Sequence, residues 1–201
     1  MPQLGLPEGI GDQMTPPPEI RAALRRFRRR RFRRWGAERA ALAVTVVSAC
    51  DGPAVLLTRG VDALSTRAGQ LALPGQWVRR WESAPAAARG QLADRFGMHL
   101  PPESVLGLLD DYVVDDLRGR ASQVITPVVV WAGEHTEKAS LNAVRFADLD
   151  VEPVFVSSAD AERPEIRLPV HGEWLHAPTA AVLHQFRELV LYQRRSRVAI
   201  A

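Results

Sequence analysis

The segment from Gly69 to Met98, GQLALPGQWVRRWESAPAAARGQLADRFGM, places a loop and a helix in the middle of a strand-rich chain, which restricts the fold more than any other feature. Its spacing predicts loop from Gly75 to Ala84 and helix from about Pro85, where proline is tolerated in the first turn, to Phe96, with Gly97 as the stop. Upstream, a strand is expected from Ala41, through the β-branched run LAVTVVSA, followed by the turn pair Asp51 and Gly52 and then by AVLLTR, the pattern of a hairpin. Downstream, strands are expected at Val105 to Leu108, Tyr112 to Val114, Val124 to Trp131 and Val144 to Phe146. A closing helix runs from Pro178 to about Gln193, where Val182, Phe186 and Val190 recur every fourth residue. There is no internal repeat. The sum is an α/β chain with a mixed sheet between helices.

The same segment fits, without a gap, the spacing G-x5-E-x7-R-E-U-x-E-E-x-G-U, in which U is aliphatic. Glu82 takes the first glutamate position, Leu92 the aliphatic one, Gly97 the last glycine and Met98 the final apolar one. Gln76 stands at the opening glycine, although Gly75 precedes it; the R-E pair is Gly90 and Gln91, and the E-E pair is Asp94 and Arg95. The upstream stretch LLTRGVDALSTRAGQLALPG is similar to L-L-T-x-R-S-x-x-L-x-x-H-x-G-Q-x-x-F-P-G-G through Leu56, Leu57, Thr58, Leu64, Gly69, Gln70, Pro74 and Gly75. Arg59 stands one residue early for the pattern's arginine, Arg67 replaces its histidine and Leu73 its phenylalanine. SQVITPVVVW, from Ser122 to Trp131, is similar to S-x-x-V-T-P-V-V. Over roughly residues 40 to 131 the chain thus resembles the Nudix hydrolase superfamily, and within it the coenzyme A pyrophosphatase group. That resemblance implies a Nudix-type α/β/α sandwich with a mixed β-sheet.

It also implies a chemistry for which most of the charges are missing. In active relatives, carboxylates at i, i+3 and i+4 of the box helix share one face, hold magnesium or manganese against a diphosphate and activate water. Here those positions are Gln91, Asp94 and Arg95, so one carboxylate remains of three. A divalent ion about 4 Å from a guanidinium, at an effective dielectric of about 20, is opposed by roughly 8 kcal/mol before the side chain moves away. The expectation is an eroded metal site, inactive or very slow, with no cofactor unless activity persists with Mg or Mn at Asp94. By resemblance, Glu82 and Asp94 are the catalytic candidates. Arg59, Gln70, Gly75, Gln91 and Arg95 are candidates for binding a nucleoside diphosphate-type ligand.

Four other features compete for a role. Asp110, Asp111, Asp115 and Asp116 could supply a relocated metal site, leaving an active pyrophosphohydrolase. Arg89 could reach Glu82, taking over from the arginine that Gly90 replaces. His171 and His176 flank Trp174 before the closing helix, but their spacing without a third ligand does not make a zinc site. Finally, nine arginines lie between Arg21 and Arg34. The N-terminal residues 1–18, rich in proline and glycine, are expected to be a disordered arm. Residues 19–36 are expected to form an Arg-rich amphipathic helix, with Ile20, Leu24, Phe27 and Trp35 on one face and Gly36 at its end, and 37–201 the Nudix-like domain. The tract from Arg21 to Arg34 suits an anionic partner such as nucleic acid, although the single lysine, Lys138, shows a general arginine bias. The net charge of +3 and 46% hydrophobic content suit one folded domain in 201 residues. No apolar run is long enough for a membrane span, the lone Cys50 excludes an internal disulfide, and a cytoplasmic location is expected.

Overall fold

The computed structural model describes residues 16–59, 69–115, 121–134, 141–157 and 165–194. The hairpin forms as β1 (Glu38–Ala49) and β2 (Gly52–Arg59), antiparallel, with Ala49 opposite Gly52 and a tight turn at Cys50 and Asp51. Along the other edge of β1, β7 (Ala121–Glu134) runs parallel, with Leu42 facing Pro127 and Val44 facing Val129. The sheet is extended by β3 (Leu71–Ala72) and β8 (Leu141–Arg145) on β2, β4 (Gly75–Trp77) on β1, and β5 (Val105–Leu108) and β6 (Tyr112–Asp115) on β7. All of these added pairings are antiparallel, so the sheet is mixed.

Because successive strand side chains point to opposite faces, β1 feeds two cores. Ala41, Ala43 and Val47, with Ala54, Leu56, Val128 and Val130, face α2 (Ala84–Phe96), which answers with Ala84, Ala87, Ala88, Leu92 and Phe96. The alanines on both sides bring helix and sheet close together. Leu42, Val44 and Val46, with Val55 and Leu57, face α1 (Pro18–Arg26) and α3 (Thr179–Val190), through Ile20, Leu24, Leu183 and Phe186. Phe186 meets Phe146 edge-on at 5.4 Å between centroids. Gly107 in β5 admits α1, since a Cβ there would lie 3.0 Å from that of Leu24. The result is the α/β/α sandwich with a mixed sheet that the sequence led us to expect.

Several boundaries differ. The helix expected over 19–36 ends at Arg26, and Phe27 turns to an extended conformation with φ −79° and ψ 120°. Residues 27–34 form a non-helical strap instead. Its backbone is engaged elsewhere: the Arg30 N–H donates to Asp110 Oδ1 at 2.6 Å, the Phe32 N–H to Asp111 Oδ2 at 2.8 Å, and the Arg30 carbonyl accepts from the Asp111 N–H at 3.1 Å. A helix would need those groups for its own ladder, and it would also stack arginines at i, i+4. Of the expected apolar stripe, Ile20 and Leu24 are buried while Trp35 is fully exposed. Of the expected arm, residues 1–15 lie outside the described residues, Pro16 is buried and Pro18 opens α1. A second sheet of β9 (Val154–Val156), β10 (Glu165–Val170) and β11 (Glu173–Leu175) was not anticipated. Gly75, expected in a loop, lies in β4 opposite Leu42.

Candidate functional site

Helix α2 is bounded by its own chemistry. Ser83 caps its start, the hydroxyl accepting from the Ala86 N–H, and Pro85 lies in the first turn, where no intrahelical donor is lost. At the far end Gly97 adopts φ 64°, and the N–H groups of Gly97 and Met98 return to the carbonyls of Ala93 and Leu92. This left-handed stop is the one expected of the last box glycine. The residues at the three carboxylate positions therefore sit in the last two turns of a well-terminated helix. Gln91 is buried, whereas Asp94 and Arg95 are exposed.

A divalent ion does not fit this donor set. One carboxylate stands beside a fixed cation, and the third group is a buried amide, a neutral donor at best. Among the described residues, no three His, Cys, Asp or Glu side chains converge anywhere as a cation site. The acids considered for relocation are committed elsewhere. Asp110 accepts from the Arg30 N–H and from Gln185 Nε2 at 2.9 Å; Asp111 is ion-paired with Arg29 and accepts from Thr126 Oγ1 at 2.7 Å and from the Phe32 N–H. Both are buried and fix the strap to the sheet. Asp115 is exposed at the end of β6, and Asp116 lies outside the described residues.

The remaining candidates divide into two groups. Beside α2, Glu82 folds back on its own loop, Oε2 accepting from the Arg79 N–H at 2.9 Å. Arg89 does not take up Glu82; its Nη1 donates to the Leu100 carbonyl at 2.8 Å, beyond the helix C-terminus. A residue absent from the candidate set takes part instead. Gln76, at the box's opening glycine, donates from Nε2 to the Ala87 carbonyl at 2.8 Å, and a Cβ on Gly90 would lie 3.6 Å from that same nitrogen. Glutamine stands where the box has glycine and glycine where it has arginine, and the two positions meet across β4 and α2. Gly75 is buried next to Gln76 in β4. Ser83 was a second missed signal, a hydroxyl just ahead of a proline-opened helix.

The second group gathers at the other edge of β2. Arg59, exposed, donates from Nη1 to the Gly69 carbonyl at 3.2 Å and to Glu173 Oε2 at 2.9 Å, and from Nη2 to Glu173 Oε1. This pairing holds the Glu173 carboxyl below its ordinary range and raises the Arg59 guanidinium. Gln70 lies half-buried in the bend between Gly69 and β3. His171 and His176 each meet a carboxylate: His171 Nε2 lies 3.1 Å from Asp148 Oδ2, and His176 Nδ1 lies 3.2 Å from Glu165 Oε1.

No protein-family profile matches the chain, and no curated protein matches it. Solved structures do. The chain is similar to Nudix hydrolases. A Nudix hydrolase from M. smegmatis, RenU, aligns at 25% identity over 80% of this chain and 91% of its own, with a TM-score of 0.47. A MutT/nudix family protein from Enterococcus faecalis aligns at 18% identity over 79% of this chain and 62% of its own, with a TM-score of 0.49. An ADP compounds hydrolase aligns at 20% identity over 79% of this chain and 76% of its own, with a TM-score of 0.42.

Proposed function

We propose that this protein is a Nudix-type domain, most similar to the coenzyme A pyrophosphatase group, that binds a nucleoside diphosphate-linked ligand without a divalent ion and turns it over at or near background. The observation that carries this reading is the charge inversion on α2, where Arg95 stands exposed beside Asp94 while Gln91 is buried. A guanidinium gives a diphosphate two charge-assisted hydrogen bonds and needs none of the missing carboxylates. It cannot lower the pKa of a bound water as a metal does, so binding and hydrolysis separate. Gln76 and Gly90 add to the departure from the box, because the arginine that would support the glutamate loop is absent.

Calorimetry with coenzyme A and with ADP-ribose in EDTA, on the wild type and on Arg95→Ala, tests binding. Saturable heat in the wild type and at least a tenfold weaker constant in the variant are expected. Equal affinities would remove Arg95 from the site. A parallel assay with magnesium or manganese is expected to show no turnover above background, and a rate of about 1 per second or more would overturn the proposal.

A further inference from the structure

At the opposite end of α2 from Asp94 and Arg95 lies a cleft of about 650 Å³, between the first turn of the helix and the arginine strap. Its charged wall is Arg31, Arg33 and Arg34 from the strap and Arg39 from β1, all exposed. Among the described residues, no carboxylate pairs with any of these four. Asp111 also lines the cleft, but it is already engaged by Arg29, Thr126 and the Phe32 N–H. Glu38 neighbours Arg39, yet alternation along β1 sends the two side chains to opposite faces. The positive end of a 13-residue helix opens onto the same space.

The cleft also has aromatic surface. Trp35 lines it and is 102% exposed. Trp81 does not line the cleft; it is 92% exposed under the Arg80 guanidinium at 5.1 Å, on the neighbouring loop that the Val78 N–H ties to the Arg39 carbonyl. A folded domain gains nothing by leaving two indoles in water. The strap is not loose chain, because its backbone is locked to Asp110 and Asp111. A row of exposed guanidinium groups, paired with no carboxylate among the described residues and carried on a backbone tied to the sheet, stands beside an exposed indole and offers contacts to successive phosphates and a stacking face for a base.

We propose that this cleft binds single-stranded nucleic acid, the arginines taking the phosphates and Trp35 a base. Stacking on an exposed aromatic face needs a base that is free to leave its neighbours, as in a single strand, and is the sequence-tolerant way to hold one. The contact is independent of Arg95 and of the diphosphate site.

The test is fluorescence anisotropy of the full chain in EDTA with labelled oligo-dT and oligo-U of about 15 nucleotides. With four phosphate contacts, affinity is expected to fall roughly 50-fold between 50 and 200 mM salt. The triple variant Arg31→Ala, Arg33→Ala, Arg34→Ala should flatten most of that dependence, and Trp35→Ala should weaken binding at least about fivefold at constant salt slope. A charge-matched control, Arg21→Ala with Arg25→Ala and Arg26→Ala on α1, should retain wild-type binding, and Arg95→Ala should be neutral. Matching thermal melts verify that each variant is folded. No binding, equal losses in the two triple variants, or equal affinity for a duplex would each overturn the proposal.

Discussion

Arg59 closes β2 with its guanidinium on Glu173, so a side chain whose place in the sequence suits a phosphate is already neutralised by a carboxylate from the β11 edge. Both partners are open to solvent, and an exposed ion pair of this kind contributes little to stability. A diphosphate can therefore displace it at small cost. Glu173→Gln keeps the shape and removes the charge, and it is expected to tighten ADP-ribose binding in EDTA by up to about fivefold. Calorimetry of that variant decides the matter: unchanged affinity means that Arg59 lies outside the ligand's reach. The arginine was legible in the sequence, but its partner was not. Glu173 is separated from it by most of the chain, and no local pattern pairs them. Glycines divide the same way. Gly97 takes the positive φ that its place after a helix requires, while Gly75, adjacent to a box position, sits in a strand because its neighbours pair with β1.

Between elements, the most informative contact is β4 on α2. Gln76 fills the space beside Gly90 and bonds the Ala87 carbonyl, so the two departures from the box form one packing unit. A Cβ at position 90 would make an ordinary contact with the Gln76 amide at 3.6 Å, so restoring arginine there alone makes the rest of its side chain turn past that amide, and crowding of this kind costs roughly 1–3 kcal/mol. In a Gln76→Gly background the obstruction is gone. Urea melts of Gly90→Arg, Gln76→Gly and the double variant should give a coupling of about 1 kcal/mol or more in favour of the double; additive losses would show that the positions are independent. The box helix, the hairpin and the strands that follow were readable because each carries its own periodicity and stop signals. The strap was not. Ile20, Leu24 and Phe27 have helical spacing, and only the buried Asp110 and Asp111, which claim the strap's backbone N–H groups, turn the arginines out of the helix.

At the scale of the whole molecule, the second sheet is joined to the first by apolar contact and by ion pairs. Ile166, Leu168, Val170 and Leu175 reach the α3-side core, although the prolines around this stretch, Pro164 and Pro169, disguise its alternation in the sequence. The turn between β10 and β11 is clasped to the main sheet on both sides: His171 meets Asp148, which is itself held by Arg145 at the end of β8, and Glu173 meets Arg59 at the end of β2. Three carboxyls here titrate below their ordinary values. Arg145 first and His171 second depress Asp148; Arg59 depresses Glu173. Burial pushes Glu165 up, but the bonds from Arg167 and His176 outweigh it. A carboxyl depressed in the folded state contributes stability that is complete above its unfolded value and is lost as pH falls through the folded one. The unfolded references are 3.8 for Asp148 and 4.5 for the two glutamates, so the clasp is intact at pH 6 and weakens on acidification below those values. The apolar contacts do not titrate, so the response is local opening of β10 and β11 ahead of global unfolding. Hydrogen exchange at pH 6 and pH 3, corrected for the intrinsic rate, should show protection of Glu165 to Leu175 falling while β1 and β7 retain theirs. In Asp148→Asn the segment should be less protected at pH 6 and change less on acidification. Uniform loss across both sheets, or an unaltered pH response in that variant, would mean that the second sheet is held by its apolar face alone.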